Sequence, residues 1–497
     1  MAQLPNSPRS PLSRRSILAS LGSVGVVALL AACGASRPAI TAGSASASVA
    51  NTSSTASGNN TPDSAATAKA AGYTAAAPTA TVGQIKSTGK NGTIQYWHNH
   101  SGTELKPLNA NIQEFTQLKD IGVEATYVPV PAGTQESPKL IAAIAGGTPP
   151  DAARFDRFIV GTFAFTGSLA DLSALAAKAG VTAKDYYNFS WSEASLAGKL
   201  YAIPTSTDVR ILYYNKDHFS AAGLDPEKPP TTIQELDDAA SKLTKKSGTR
   251  YSQIGFIPWL GQGWLYTYGW LWGGNFYSDQ SGKVTTADPK NVEAATWYGS
   301  YGKKYAISDI DAFQASFGSN AQDPFLVGLV SMQVSTNGTV NSIKQYKPDM
   351  KYGLAVLPTA PGQSSTSTWS GGWSNVIPNG VKNLDTAFSF VQYMGSSQGQ
   401  ITWAKNASGA FLPTSTVAAK DPYFPQANGA TWDMVTKLLA ISHWRPVIPE
   451  GNELWNDLAD AGDQIRHQKS DPKTIFGDID TKVNGLLTKD KWHGTGG

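Results

Sequence analysis

The chain has 497 residues, of which 41% are hydrophobic and 10% are aromatic. Single hydrophobic cores stop growing near about 250–300 residues, so we expect two lobes or domains. The formal net charge is +3. Arg9, Arg14 and Arg15 alone contribute +3, so the remaining chain is close to neutral. A near-neutral chain argues against a nucleic-acid-binding surface. The single cysteine, Cys33, excludes an intrachain disulfide and a multi-cysteine metal site.

The first 32 residues have the layout of an export signal. The three arginines precede an apolar run at residues 17–32 and small residues next to Cys33, as in a secretory signal peptide. Residues 13–18, Ser-Arg-Arg-Ser-Ile-Leu, resemble a twin-arginine signal. Residues 30–33, Leu-Ala-Ala-Cys, resemble a bacterial lipobox, which implies lipidation of Cys33 and a new N-terminus there. The alternative is a membrane-spanning helix with a free cysteine, but the run is shorter than the roughly 18 apolar residues such a helix needs.

Residues 33–90 follow as a linker of alanine, serine, threonine and glycine with almost no large apolar side chains. Such a segment buries too little surface to offset its chain entropy, so its composition predicts a flexible tether. No later stretch is long and apolar enough to predict a membrane span. We therefore expect an exported folded part that lipid anchors to the outer face of the cytoplasmic membrane.

The folded part begins with alternating strands and helices. Strands are predicted at residues 93–97, 123–130 and 151–155, with helices at 105–118 and 137–145 between them. This β-α-β-α-β order implies a parallel sheet with helices on both faces.

The same alternation returns in the second half of the chain. A capping box of Thr232 and Glu235 starts one helix, and Asp288-Pro289 starts another, because proline suits a first turn. The other elements predicted there are strands at 209–215, 330–335 and 352–357 and helices at 384–394 and 453–487. Two α/β lobes joined by chain crossings fit this order best.

Five segments resemble one protein family. They are Ala-Ala-Ile-Ala-Gly-Gly-Thr-Pro-Pro-Asp at 142–151, Lys-Leu-Tyr-Ala-Ile-Pro at 199–204, Asp-Val-Arg-Ile-Leu-Tyr-Tyr-Asn-Lys-Asp at 208–217, Gly-Leu-Ala-Val-Leu-Pro at 353–358 and Gly-Ala-Phe-Leu-Pro-Thr at 409–414. Together they resemble the extracellular solute-binding proteins of sugar ABC importers, the group that contains the maltodextrin- and glycerol-3-phosphate-binding proteins. The resemblance covers nearly the whole chain from about residue 92 onward.

The resemblance implies an α/β, two-lobed periplasmic-binding-protein-like fold of type II, with a hinge and an interlobe cleft. It places lobe 1 at residues 91–208 and 374–422 and lobe 2 at residues 209–373 and 423–490, with chain crossings near 207–210, 371–375 and 422. Such a fold captures its ligand by hinge closure around the cleft.

A cluster of aromatic residues predicts a surface for sugar rings, whose C–H groups stack on flat apolar side chains. All 14 tryptophans fall at or after residue 97, and four of them lie within residues 259–272. The residues of this region that we expect at the ligand are Trp264, Trp270, Trp272, Gly274 and Asn275. The paired glycines would allow close backbone approach, and a buried aromatic helix is the alternative for each tryptophan.

Asp156 and Arg157 follow a predicted strand, where the loops of open α/β sheets form binding crevices. In the related maltodextrin binders an Asp-Arg pair at the matching place contacts sugar hydroxyls; a solvated ion pair is the alternative. Trp97 and His98 lie at the end of the first strand and are also candidates. The spacing of His98 and His100 suggests a metal, but no third ligand is evident, so a hydrogen-bonding role or none is favoured.

The remaining candidates rest on the resemblance or on local glycines. Asp208 matches an acidic ligand-binding position of the family, and Trp455 matches a stacking position with helix packing as the alternative. Arg445 resembles a cleft arginine whose planar donors suit hydroxyls or a phosphate. The others are Asn337 and the segment of Trp369, Gly371, Gly372 and Trp373, where glycines would let a ligand reach backbone N–H groups.

These features favour a binding protein over an enzyme. We expect the chain to bind a mono- or oligosaccharide and deliver it to the transmembrane subunits of an ABC permease, as a monomer without cofactor, metal or nucleic acid. Maltodextrin binders carry a tryptophan shortly after an Asn-Gly pair, whereas Thr339 and Val340 follow here, so the same sugar is not implied. The alternatives are a secreted polysaccharide-degrading glycoside hydrolase, a glycerol-3-phosphate-type binder, and a surface sensor or adhesin with the same fold.

Overall fold

The structure is a computed structural model that describes residues 85–130, 136–407, 409–429 and 431–494. All of these residues belong to one unit that runs from Thr67 to Gly497. The predicted signal peptide, Cys33 and most of the predicted linker lie outside the described residues. Among the helices of the described ranges, none combines the length and the apolar character needed to cross a bilayer.

Strands and helices alternate along the described chain. The strands are β1 (Ile85–Lys86), β2 (Thr93–His98), β3 (Gly122–Tyr127), β4 (Ala152–Asp156), β5 (Ser195–Leu196), β6 (Lys199–Leu200), β7 (Ala202–Thr207), β8 (Arg210–Asn215), β9 (Lys245–Ser247), β10 (Arg250–Phe256), β11 (Tyr277–Ser278), β12 (Lys283–Val284), β13 (Val330–Thr336), β14 (Tyr352–Ala355), β15 (Thr368–Trp369), β16 (Gly372–Val376) and β17 (Ser442–His443). The α-helices are α1 (Leu105–Lys119), α2 (Pro138–Ala145), α3 (Val160–Phe165), α4 (Ser173–Lys178), α5 (Asn188–Glu193), α6 (Lys216–Ala221), α7 (Ile233–Leu243), α8 (Leu265–Leu271), α9 (Pro289–Lys304), α10 (Ile307–Gln314), α11 (Thr339–Tyr346), α12 (Leu384–Gly395), α13 (Ser397–Asn406), α14 (Tyr423–Asn428), α15 (Thr431–Ala440), α16 (Gly451–Arg466) and α17 (Pro472–Lys489).

Local signals explain where two of these helices begin. Thr232 Oγ1 accepts a hydrogen bond from the Glu235 backbone N–H at 3.2 Å, and the Glu235 carboxylate accepts from the Thr232 N–H at 3.3 Å, so the predicted capping box is present at α7. At α9, Asp288 Oδ1 accepts from the backbone N–H of Lys290 at 2.8 Å. Both helices therefore start where the sequence predicts.

The first sheet has the strand order β1-β3-β2-β4-β16-β7. Strands β2, β3 and β4 are parallel, as predicted, whereas β16 comes from a later part of the chain and runs antiparallel to β4 and β7. Strand β1 pairs antiparallel with β3, so Ile85 and Lys86 belong to the sheet and not to the predicted linker of residues 33–90. Tyr96, Phe155 and Phe390 are among the buried side chains of its core.

The second sheet has the order β14-β8-β13-β10-β9. Strands β10 and β13 are parallel, and the other neighbours are antiparallel. Both faces of β8 are buried: Leu212 and Tyr214 belong to one apolar cluster, and Ile211 and Tyr213 belong to another. The continuous apolar run in β8 reflects this burial on both sides.

The chain passes between the two sheets more than once. Strand β7 ends at Thr207 in the first sheet, and β8 begins at Arg210 in the second. A second passage lies between β14 of the second sheet and β16 of the first. Trp455, on α16, packs against the cores of both sheets. The two passages and Trp455 form the junction between the two sheets.

Candidate functional site

Arg157 follows β4 and joins three segments of the chain. Its side chain is fully buried. Its Nη2 donates to the Gly371 carbonyl at 2.6 Å, and its Nη1 donates to the Ser206 carbonyl. The preceding Asp156 caps a short 3₁₀ turn by accepting from the Phe158 backbone N–H at 3.3 Å. Arg157 therefore ties the first sheet to both passages between the sheets.

Glu193, the last residue of α5, bridges two arginines that are far apart in sequence. Its carboxylate accepts from Arg157 Nε at 3.2 Å and from Arg445 Nε at 3.1 Å, and Arg445 Nη2 lies 3.2 Å from Asp156 Oδ1. Burial acts to lower the pKa of Arg445, but attraction to the surrounding carboxylates outweighs it and raises the pKa above its usual value. Arg445 is therefore a permanently charged group at the junction.

Asp208 and Arg210 organise the first passage. Asp208 Oδ1 accepts from the Gly371 N–H at 2.7 Å and also contacts Arg210 Nη1. Arg210 Nη2 donates to Gln262 Oε1 at 2.9 Å, and the centre of its guanidinium lies 3.3 Å from the centroid of the Trp369 ring. Stacking on an indole suits the planar, weakly hydrated guanidinium.

These contacts form one group of opposite charges, which we call the junction network. Its members are Arg157, Arg210, Arg445, Asp156, Glu193 and Asp208. Three positive and three negative groups give a formal charge of zero. Asp156 and Asp208 each keep 25% of their side-chain surface exposed, so two acidic side chains of the network remain partly accessible.

Two half-buried tryptophans lie beside the junction network. The rings of Trp455 and Trp264 are 4.8 Å apart between centroids, and Trp455 lies 5.3 Å from the Phe158 ring. The Arg445 guanidinium is 4.3 Å from the Phe158 ring and 5.7 Å from that of Trp455. Aromatic faces and charged hydrogen-bonding groups thus meet between the two sheets.

The sequence model of the bacterial extracellular solute-binding proteins matches residues 99–401 of the chain. The chain belongs to this family. Its members act outside the cytoplasm, and the resemblance found in the sequence is thereby confirmed.

Two relatives of this solute-binding protein are themselves named as binding proteins. A binding protein of Brucella abortus (strain 2308) is 28% identical over 303 residues, which are 60% of this chain and 70% of the relative. The sn-glycerol-3-phosphate-binding periplasmic protein of Salmonella paratyphi A is 26% identical over 378 residues, which are 69% of this chain and 81% of the relative.

Solved structures confirm the two-lobed α/β fold of this solute-binding protein. CpMnBP1 with mannobiose bound superimposes with a TM-score of 0.69 at 26% identity, over 79% of this chain and 99% of that protein. The GacH receptor of Streptomyces glaucescens, solved unliganded and with acarbose, gives a TM-score of 0.64 at 25% identity, over 80% of this chain and 98% of the receptor.

The structure separates the predicted tryptophans into two groups. Trp264 and Trp455 are half-buried at the junction, whereas Trp270, Trp272 and Trp369 are 4%, 3% and 1% exposed and belong to the core of the second sheet. Trp270 stacks on the His443 ring at 5.3 Å, Trp272 packs 5.1 Å from Trp297, and Trp369 Nε1 donates to Thr267 Oγ1 at 2.9 Å. For Trp270 and Trp272, the alternative of a buried aromatic helix describes the structure, and Trp369 is also a core residue.

The predicted glycines serve internal contacts. Both backbone groups of Gly371 are occupied, the N–H by Asp208 and the carbonyl by Arg157. A ligand that reached this N–H would have to displace the Asp208 carboxylate, and that contact stays a prediction. Gly372 has φ +134°, and an added Cβ would lie 2.3 Å from the Ser206 carbonyl oxygen. At Gly274, an added Cβ would meet Asn291 Oδ1 at 2.2 Å.

Two predicted asparagines also have structural partners. The carbonyl of the exposed Asn275 accepts from Asn291 Nδ2 at 2.7 Å, which fixes the turn after α8. Asn337 Oδ1 accepts from the Val209 N–H at 3.3 Å and thereby holds the first passage.

The end of β2 forms a separate group beside the junction. Trp97 is half-buried, with Lys139 Nζ 4.7 Å from its ring centroid. His98 and His100 are buried, and burial lowers their pKa values to about 3 and about 4. Both rings are therefore neutral at physiological pH, and within the described ranges no group of three metal-ligating residues occurs. Trp373 lies nearby, with the Arg154 guanidinium 3.7 Å from its ring centroid.

Sequence reasoning missed Glu193 and Glu136. Glu193 follows no motif, and its partner Arg445 is 252 residues away, so no local signal could have found it. Glu136 is buried, and burial, with repulsion from the Asp156 carboxylate, raises its pKa to about 8. A buried carboxyl with a raised pKa beside a junction residue is the kind of group that concentrates at functional sites.

Proposed function

We propose that this solute-binding protein binds a carbohydrate between its two lobes and delivers it to an ABC permease. One observation carries the proposal: the half-buried rings of Trp264 and Trp455 lie beside the junction network, between the two sheets. Indole faces cover the C–H groups of a pyranose, and the partly exposed carboxylates of Asp156 and Asp208, which the buried arginines hold in place, can accept from its hydroxyls. Mannobiose bound to CpMnBP1 and acarbose bound to the GacH receptor are carbohydrates of this kind.

The charge balance of the junction network favours an uncharged ligand. A phosphate ester brings a negative charge that needs positive groups in excess. Here the arginines are matched by carboxylates: Arg157 and Arg445 share Glu193, and Arg210 contacts Asp208. A glycerol-3-phosphate-type ligand would have to displace these contacts, although a relative with that ligand is 26% identical. A neutral sugar is therefore the better match.

The same network argues for binding without turnover. A glycosidase needs two carboxyl groups that flank the scissile bond, one of which donates a proton. The three carboxylates of the network are each held by an arginine instead. Glu136, whose raised pKa would suit a proton donor, is only 4% exposed. The sequence does contain one G-x-S-x-G spacing, at residues 395–399, but it joins helix α12 to helix α13 rather than a strand to a helix, which is not the geometry of a nucleophile elbow.

A thermal-shift screen of the purified chain tests the ligand class. We expect mannobiose, maltose or a related sugar to raise the melting temperature with increasing concentration, because a ligand that binds only the folded state stabilises it. sn-Glycerol-3-phosphate is the charged control and should have no effect. Chromatography of the same samples should return the sugar unchanged. A shift with the phosphate ester alone, or a shortened sugar, would overturn the proposal.

The anchoring part of the proposal concerns Cys33. We expect export through the twin-arginine signal, lipidation of Cys33 and residence of a monomer on the outer face of the cytoplasmic membrane, where it meets the permease subunits. Two sequence features support this expectation: the pair Arg14 and Arg15, and the lipobox-like sequence Leu-Ala-Ala-Cys at residues 30–33. Lipid anchoring is tested by expressing the full chain and its Cys33→Ala variant in a bacterial host. The unaltered chain should be found in the membrane fraction, and the Cys33→Ala variant in the soluble fraction. Equal membrane retention of both would contradict lipid anchoring.

A further inference from the structure

A cavity in the first lobe lies next to the junction network but is not part of it. Its volume is about 50 Å³. Its walls come from the end of β2 and from β4, β7, β16, α1, α12 and α13, so it lies against one face of the first sheet. Ser206 links the cavity to the site, because it lines the cavity while its carbonyl accepts from Arg157.

Two buried asparagines line this cavity with half of each amide unused. Asn111 is 1% exposed; its Nδ2 donates to the Gly399 carbonyl at 3.0 Å, and its Oδ1 has no hydrogen-bond partner among the described residues. Asn375 is also 1% exposed; its Oδ1 accepts from the Tyr96 hydroxyl at 2.9 Å, and its Nδ2 has no partner within the described ranges. A buried polar atom without a partner is destabilising, so Asn111 Oδ1 and Asn375 Nδ2 offer the cavity one acceptor and one donor.

The remaining walls define the chemistry of that group. Arg154 carries the positive charge of the cavity, and Glu104 balances it at 3.4 Å between Nη2 and Oε1. His100 is neutral and lies 4.8 Å from the Trp403 ring, between centroids. Phe411, with Trp403, adds an apolar surface. His100 Nδ1 likewise has no hydrogen-bond partner among the described residues and lies 3.5 Å from Glu104 Oε2. A neutral cavity with unused amide donor and acceptor atoms and aromatic walls fits a hydroxyl group on a short carbon stem.

The size of the cavity limits how much of a ligand can enter. One water needs about 10–15 Å³ of cavity volume, so about 50 Å³ matches roughly three to five such molecules. A whole pyranose ring is larger than that, whereas a hydroxymethyl arm with a neighbouring hydroxyl is of the right size.

We propose that this first-lobe cavity receives an uncharged hydroxymethyl arm of the sugar, held by Asn111 Oδ1 and Asn375 Nδ2. The inference rests on the proposed carbohydrate function and adds to it a basis for choosing hexose units over pentose units. A pentose unit lacks the arm and would leave both amide atoms unpaired. The cavity thus selects hexose units over pentose units, while the tryptophans and the junction network hold the sugar ring.

The test compares matched ligands and matched variants by isothermal titration calorimetry. The ligands are mannobiose and maltose, each against xylobiose, which lacks both hydroxymethyl arms. The variants are Asn111→Leu, which removes the acceptor, and Asn375→Asp, which removes the unused donor but keeps an oxygen for Tyr96. The control is Asn379→Asp, the same change at an exposed residue four positions further on. Thermal unfolding without sugar confirms that each variant is folded.

We expect the unaltered chain to bind one of the hexose disaccharides at least tenfold more tightly than xylobiose. Each cavity variant should lower this ratio three- to tenfold while the affinity for xylobiose stays within twofold, and the control should keep the full ratio. An unchanged ratio in both folded cavity variants would overturn the role of the cavity and leave the carbohydrate function standing. No binding of any disaccharide would overturn both.

Discussion

Replacement of Glu193 by glutamine is the sharpest perturbation of the junction network. The change keeps the size of the side chain but removes the negative charge that Arg157 and Arg445 share, and both arginines are at least 95% buried. Loss of one partner of a buried ion pair costs about 3–5 kcal/mol, because the remaining charge is left uncompensated. With an unfolding entropy of about 2.1 cal/mol/K per residue over roughly 400 folded residues, this corresponds to a melting temperature lower by about 4–6 °C.

Differential scanning calorimetry of the unaltered chain, Glu193→Gln and Glu227→Gln measures the effect. Glu227 is 71% exposed and pairs with Lys216 at the surface, so its substitution should cost less than about 1 kcal/mol. If Glu193→Gln melts within 1 °C of the control, the two arginines do not depend on Glu193, and the charge balance derived for the junction is incorrect.

Three further predictions follow from named contacts. Trp455→Ala should weaken sugar binding at least tenfold in calorimetry, whereas Trp272→Ala should chiefly lower stability, by about 3–5 kcal/mol, because its ring is in the core; the reverse pattern would place the ligand elsewhere. Burial lowers the pKa of His100 to about 4, so the unfolded chain binds more protons between about pH 4 and 6.5 and stability falls on acidification. In His100→Gln the melting temperature should fall less steeply over that range, and equal slopes would refute the assignment. Gly372→Ala should cost at least roughly 2 kcal/mol in urea unfolding, since its Cβ would overlap the Ser206 carbonyl. Gly477→Ala, inside α17 with open space around it, is the control and should raise the free energy of unfolding by about 0.5–1 kcal/mol, because alanine favours the helix.

The sequence predicts the regular elements well where a local pattern exists. Strands at the positions of β2, β3 and β4 follow from alternating or continuous apolar residues, and α7 follows from the capping box of Thr232 and Glu235. Strand β1 was not predictable, because Ile85 and Lys86 continue a polar segment and pair only with a strand almost 40 residues away. Strand β16 is likewise explained by its neighbours β4 and β7 rather than by its own composition.

The candidate site depends more on distant contacts than the fold does. Trp264 and Trp272 flank α8 on either side, and no local pattern tells which indole is half-buried and which is in the core. They differ because Trp264 packs against Trp455 of α16 and Trp272 against Trp297 of α9. Gly371 suggests a free backbone N–H until Asp208, 163 residues earlier, is seen to occupy it. Charge compensation is a property of the whole junction, and no single segment of the chain carries it.

Equilibrium dialysis of the purified chain against labelled sugars, including mannobiose and maltose, tests carbohydrate capture between the lobes most directly. We predict that one of these sugars is retained at one molecule per chain and is recovered with unchanged mass. We also predict that Trp455→Ala loses this retention while remaining folded. Retention of no sugar, or recovery of a shortened product, would contradict carbohydrate capture.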